Sequence, residues 1–272
     1  FIDSEIWPNM IFNLKYRKIP IVLINGRITK KTFKRWKQLS NFSNAIFSNF
    51  DLCLSSSKQS FNFLKKLNVK KVKFLGNLKF SQAEKENLFS NKRMDNYFKS
   101  KKTWCASSTH QSEELICGLA HLELKKKTKN LLTIIIPRHV ERSNDIKNNL
   151  ENLNLKVHLD EPIKTIAPNT DIYLVNSFGK TKSFYSLIKN VFLGGSLIKH
   201  GGQNPLEAVR YNCNILHGPN VSNFNEIYKF LNKQKISKKI INLNQATNIL
   251  HKLFNSRKSQ KNIKNKINRI GQ

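Results

Sequence analysis

Residues 194–208 read Gly-Gly-Ser-Leu-Ile-Lys-His-Gly-Gly-Gln-Asn-Pro-Leu-Glu-Ala, two glycine pairs ahead of a helix-forming run. The apolar run Asn190 to Leu193 before them reads as a buried strand. After them the pattern predicts a helix over 205–211, with Asn204 placed to cap it and Pro205 suited to its first position. A strand that passes through glycines into a helix lets backbone approach a bulky anion, with N–H groups directed at it. Glu207, inside that helix, offers an acceptor for sugar hydroxyls. The combination suits a nucleotide with its phosphate and ribose. The same spacing also serves a tight strand-to-helix turn with glycine for geometry alone.

The chain has 272 residues, enough for one large core or two ordinary ones, and its 39% hydrophobic content with 18 Phe indicates a globular protein. No apolar run approaches the ~20 residues that span a bilayer. The best, Leu131 to Ile136, is strand-sized, and no leader pattern opens the chain. Phe1-Ile2-Asp3 reads as the end of a strand, so an N-terminally truncated chain is expected. Lysine and arginine outnumber carboxylates 48 to 17, a net charge of +31. The basic residues are spread along the chain without an aromatic-interleaved stripe. That favours compositional drift and attraction to an anionic membrane surface over nucleic acid. Cys53, Cys105, Cys117 and Cys213 form no Cys-x-x-Cys pair, which predicts buried free thiols in a reducing compartment. The seven histidines lack ligand spacing, which gives no reason to expect a metal.

In chain order, residues 1–80 alternate strands (1–3, 19–24, 51–54, 71–75) with helices (8–15, 29–49, 57–67). A polar helical stretch over 82–98 breaks the rhythm and places a domain boundary after residue 80. Strands at 103–106, 131–136, 156–159, 171–175, 190–193 and 214–216 then alternate with helices at 111–124, 140–152, 181–188, 205–211 and 223–231. Two basic helices complete the 81–272 unit. The expected class is α/β, two doubly wound Rossmann-like domains with the first incomplete. Such domains hold ligands at the carboxyl ends of strands, in a cleft.

At those ends in the second unit lie Ser107 to His110, Pro137-Arg138-His139, Asn176 to Gly179, and the glycine loop. Arg138 can grip a phosphate or carboxylate as a planar fork, or cap a strand end at the surface. His200 can donate to phosphate or be an exposed loop histidine. The first unit offers Asp3, Glu5, Asn25, Arg27 and Ser55. A carboxylate there can act as general base and Arg27 can bind an anionic acceptor. Equally, Asp3 and Glu5 can be charges that favour a helix N-terminus.

Six segments in order resemble one family. They are Asp3-Ser4-Glu5-Ile6-Trp7-Pro8-Asn9, Asn25-Gly26-Arg27, Gly76-Asn77-Leu78-Lys79-Phe80, Ser108-Thr109-His110, Pro137-Arg138-His139-Val140-Glu141-Arg142, and 194–207 followed by Gly218-Pro219 and Asn223-Phe224. They are similar to the 3-deoxy-D-manno-octulosonic acid (Kdo) transferases of lipopolysaccharide synthesis. The resemblance implies a GT-B glycosyltransferase that moves Kdo from CMP-Kdo to the lipid A precursor. It implies inversion at the anomeric carbon, no metal or other cofactor, and work at the cytoplasmic face of the inner membrane. It further implies that Pro137, Arg138 and His139 frame CMP. Phe178, Gly179 and the loop with Gly195, Ser196, Gly201, Gly202 and Asn204 would hold base and phosphate, and Glu207 the ribose. Asp3 and Glu5 would be the catalytic carboxylates present, with Asn25 and Arg27 on the acceptor side and the family's probable catalytic glutamate upstream of Phe1. Three positions depart from the family. Asp3 stands where Glu is usual, Asn176-Ser177-Phe178-Gly179-Lys180 replaces Asp-Thr-Met-Gly-Glu, and Gln203 replaces His.

Overall fold

The computed structural model describes residues 1–78, 92–161 and 165–256. They form two compact units, 1–78 and 92–256. The motif residues Lys79 and Phe80, most of the polar stretch over 82–98 and the last basic helix lie outside the described residues.

The first unit carries α1 (Pro8–Tyr16), β1 (Val22–Gly26), α2 (Lys30–Gln38), α3 (Ser40–Phe47), β2 (Leu52–Ser55), α4 (Lys58–Lys66) and β3 (Val72–Phe74). Its strands pair in parallel in the order β1-β2-β3, and Ile2 adds a single parallel bridge to Ile24. The opening residues therefore touch the sheet at one bridge, where the sequence pattern suggested a strand. The single helix expected over 29–49 is two. Leu39 leaves helical geometry at φ −105°, ψ 52°. The bend lets Trp36 stack on Phe42 and meet Phe47 edge-on at a centroid distance of 5.3 Å. Both helices thus press one aromatic cluster onto the core of Ile11, Leu23, Ile46 and Phe50. Ser57 and Thr29 each accept a hydrogen bond from a first-turn amide, fixing where α4 and α2 begin.

The second unit comprises α5 (Lys92–Lys99), β4 (Lys102–Thr109), α6 (Glu113–Lys125), β5 (Leu131–Pro137), α7 (Ser143–Glu151), β6 (Val157–Leu159), β7 (Ile172–Leu174), α8 (Thr181–Leu187), β8 (Asn190–Leu193), α9 (Leu206–Arg210), β9 (Asn214–His217), α10 (Asn225–Lys233), β10 (Ser237–Lys239) and α11 (Leu243–Phe254). All seven strands run parallel, in the order β10-β9-β8-β4-β5-β7-β6. The runs Leu131–Pro137 and Asn190–Leu193 are buried along their whole length, as strands covered on both faces must be. Strand β10 was absent from the sequence reading, because Ser237-Lys238-Lys239 is a polar edge segment with two exposed lysines. The chain leaves β4 toward β5 and later returns to its other side at β8. That reversal of strand order opens a crevice at the carboxyl ends of β4 and β8.

All four cysteines are free and buried, and burial raises the Cys53 thiol to about 12. Among the described residues no helix is long and apolar enough to cross a membrane, and no three His, Cys, Asp or Glu side chains gather as metal ligands.

Asp171 stitches one end of the large sheet. Its carboxylate meets His121 Nε2 at 3.2 Å, Lys125 Nζ at 2.5 Å and the Lys156 amide at 3.0 Å. His121, itself buried, reaches Thr133 on β5 through Nδ1 at 2.9 Å. Burial works to raise this carboxyl, yet the bonds from His121, Lys125 and the Lys156 amide prevail and hold it well below the usual carboxylate range. A depressed folded-state value stabilises the fold above the unfolded value of about 4, and the gain is lost as pH falls toward the folded value. Asp171→Asn should cost about 3 kcal/mol in urea unfolding at pH 7. The stability of the variant should also fall less steeply than that of the native chain below pH ~4.

Candidate functional site

Three strand ends converge at the reversal point. Strand β4 ends in Ser108, Thr109 and His110, and Ser108 takes a left-handed φ of 54°. Strand β5 ends at buried Pro137, and the Arg138 amide donates to Thr109 O at 2.9 Å, so the two ends are tied. Strand β8 runs into Gly194, where an added Cβ would lie 2.4 Å from Ser108 O. Only hydrogen fits between these two chain segments. Gly195 follows at φ 64°, and a Cβ there would touch both His110 and His200 at 3.2 Å.

Histidines from all three ends meet. The rings of His110 and His200 lie 4.2 Å apart between centroids, and His139 stands 5.9 Å from His110. The Gln203 side-chain amide reaches His110 Nε2 at 3.2 Å, and the Gln203 backbone carbonyl accepts from the Tyr228 hydroxyl. Burial first, then the His200 ring, lowers the His110 imidazole below its ordinary value; His139 and Arg138 lower it further, while Glu113 opposes them. Arg138 and His139 are exposed, and His139 pairs with Glu141 at 3.2 Å. Beside the loop a cavity of about 360 Å3 is lined by Lys199, His200, Asn220, Ser222 and Asn225 among others.

The loop's amides differ from their expected role. The carboxylate of Glu113, a fully buried residue at the head of α6, accepts the amides of Gly195 (2.7 Å), Ser196 (3.1 Å) and Leu197 (3.0 Å). Those N–H groups already serve an internal anion, at about 1.5–3 kcal/mol for each charge-assisted bond. The Ser196 side chain is likewise committed: it is fully buried, donates to Leu193 O and accepts the Gly218 amide. Ser196 is therefore part of the frame, and the Gly195 amide is withdrawn from any ligand. Gly201 and Gly202 are buried at left-handed φ of 103° and 75°, where Cβ atoms would press on Asn223 and Asn220. Asn204 Oδ1 accepts the Leu206 amide at 3.1 Å, while Pro205 stands at the N-cap of α9, which starts one residue later than expected.

Glu207 projects from α9, half-buried, with Lys182 at 3.7 Å. Lys182 lies on α8, which begins just after Phe178 and Gly179, so the pair draws those two loops together. Phe178 is 72% exposed and Gly179 has φ 84°. Lys180 turns to buried Asp160 at 2.7 Å, and the Tyr173 hydroxyl donates to the same carboxylate at 2.6 Å. Its charge is spent inside the unit.

In the first unit the structure brings Asp3, Asn25 and Arg27 together. The Asn25 amide group donates to the Asp3 carboxylate, the Arg27 amide to Asp3 O at 3.0 Å, and the Leu78 amide to Asn25 Oδ1 at 3.1 Å. Asp3 and Asn25 both hold left-handed backbone, with φ of 57° and 55°. Glu5 is exposed.

Residues 1–82 match the family model of 3-deoxy-D-manno-octulosonic-acid transferases. A Rickettsia bellii 3-deoxy-D-manno-octulosonic acid transferase is 31% identical over 268 residues, covering 96% of this chain and 62% of the relative. In sequence the chain is similar to Kdo transferases over nearly all of its length. The corresponding Haemophilus influenzae transferase is 28% identical over 274 residues, covering 97% of this chain and 63% of that one, so the chain spans under two thirds of both relatives. Among solved structures, the C-terminal CMP-Kdo binding domain of WaaA from Acinetobacter baumannii is 26% identical with a TM-score of 0.59, over 65% of this chain and 92% of that domain. Solved glycosyltransferases of the GT-B class also superpose at low identity, and the fold is α/β of that class.

Backbone contact between loops supplies a test of this arrangement. A Cβ at Gly218 would lie 2.2 Å from Ser196 O and 2.6 Å from the Leu197 amide nitrogen. Gly218→Ala should therefore lower stability by about 1–3 kcal/mol, read as a reduced melting temperature.

Proposed function

We propose that the chain carries the donor-binding part of a glycosyltransferase of lipopolysaccharide synthesis, which moves Kdo from CMP-Kdo to the lipid A precursor with inversion and without a metal. The carrying observation is the meeting of His110, His139 and His200 on the glycine loop at the strand-order reversal, in a chain 31% identical to a Kdo transferase over 268 residues. In this reading the second unit holds the donor. As the bond between the anomeric carbon and the phosphate oxygen breaks, CMP leaves with the electron pair, and charge grows on its phosphate. Imidazole N–H groups and the Arg138 guanidinium stabilise that charge. Glu207 accepts from the ribose hydroxyls, with Lys182 holding its carboxylate in place. The first unit serves the acceptor. Its Asp3 carboxylate, oriented by Asn25, and exposed Glu5 are the groups offered to the acceptor's hydroxyl proton, and Arg27 attends its anionic groups.

The reading includes work at an anionic membrane surface, on the cytoplasmic side. The first unit exposes Trp7 (58%) at the cap of α1, Met10 (54%) and Tyr16 (89%) along it, and Leu39 (59%) and Phe42 (45%) at and just after the bend that follows the basic α2. Apolar side chains beside lysines and arginines suit a headgroup layer, at roughly 1 kcal/mol per basic residue near it.

Cytidine monophosphate at millimolar concentration should raise the melting temperature of the chain, and UDP should not. No shift with CMP would sink the donor assignment. In sedimentation with vesicles, the chain should pellet with phosphatidylglycerol-containing membranes and stay in solution with phosphatidylcholine alone. Equal partition between the two would remove the membrane assignment.

A further inference from the structure

Glu113 lies outside every motif that carried the functional reading, yet it touches more of the site's backbone than any residue within them. Besides the Gly195, Ser196 and Leu197 amides it accepts the amide of His110 at 3.0 Å, through the Oε2 that also serves Gly195. Its four donors come from two loops far apart in sequence, one after β4 and one after β8. Both carboxylate oxygens are thus used, on a residue with no exposed surface. Adjacent Glu114, also buried, is held separately by a forked pair from Arg142 at 3.2 and 3.3 Å. So the Glu113 charge is matched by backbone N–H groups and by the start of α6.

The histidines rest on the same loop. Gly195 presents its hydrogen to His110 and His200, whose nearest atoms would lie 3.2 Å from a Cβ there. The carboxylate therefore fixes the His110 backbone on one side and the floor beneath both rings on the other. We infer that Glu113 is the positioning residue of the nucleotide site, a resident anion that occupies the loop amides and sets the imidazoles to receive the substrate's anionic group in their place. This inference rests on the donor assignment above. It differs from the usual use of a glycine loop, in which the ligand's own phosphate takes the amides.

Groups facing His110 are His200 from the glycine loop, His139 and Arg138 from the end of β5, and Glu113 from α6. Of these, only Glu113 raises the imidazole's proton affinity; the others act with burial to lower it.

The test uses the full chain and the variants Glu113→Gln and Glu113→Asp, with CMP as the probe. Glutamine keeps the shape but turns an NH2 group toward two of the N–H donors and removes the charge. Calorimetry should show CMP affinity reduced at least tenfold in the Gln variant. Amide exchange at Gly195 and Ser196 should quicken at least tenfold, and the NMR titration midpoint of His110 should fall. The Asp variant keeps the charge, so its His110 midpoint should stay near the native one even where affinity drops. A folded Gln variant that binds CMP within twofold of native, with unchanged exchange and His110 midpoint, would overturn the inference. Should the Gln variant not fold, a folded Asp variant with native affinity and exchange overturns it equally. Absence of CMP binding by the native chain sinks the donor assignment and with it the site role given to Glu113. The exchange and titration arms need no nucleotide and decide separately whether the carboxylate holds the loop.

Discussion

A single buried carboxylate closes the reversal point of the large sheet. Strands β4 and β8 are hydrogen-bonded neighbours, but the loops leaving them diverge toward different helices. Glu113 ties them with four N–H bonds at 2.7–3.1 Å. A charge with no exposure and, among the described residues, no cationic side chain bonded to it survives because each oxygen has two fixed donors. Removing those donors would strand a charge in the interior, so the loop geometry and the carboxylate hold each other.

The arrangement of charge elsewhere in the second unit follows the same rule of internal matching. Asp171 collects His121, Lys125 and an amide, Asp160 collects Lys180 and Tyr173, and Glu114 collects Arg142. Lys180 illustrates how a chain with +31 net charge places one of its lysines against a buried aspartate 2.7 Å away.

The architecture was largely legible in the sequence because burial on both faces leaves an unmistakable apolar run, as at Leu131–Pro137 and Asn190–Leu193. The tight strand-to-helix turn at Gly194 was also among the readings its spacing allowed. What escaped reading depended on distant partners. The bend at Leu39 follows from Trp36 finding Phe47, and an uninterrupted amphipathic pattern gives no sign of it. Strand β10 is held by its pairing to β9, since its own residues are polar. The bonds of the Gly195, Ser196 and Leu197 amides were not legible for the same reason, since their partner stands more than 80 residues earlier. One local signal existed. Glu113 heads the stripe Cys117, Ala120 and Leu124, which is buried throughout, and a carboxylate at the top of an apolar stripe must find donors.

The pairing of Lys180 with Asp160 and of Lys182 with Glu207 has an effect on the site's electrical character. With these lysines engaged, exposed Arg138 and Lys199 carry positive charge at the rim, while burial and the His200 ring hold the His110 imidazole below its ordinary value. An arriving anion would draw a proton onto such a ring. Occupancy and proton uptake would then be one coupled equilibrium, with hydrogen ions acting as a co-ligand of that anion.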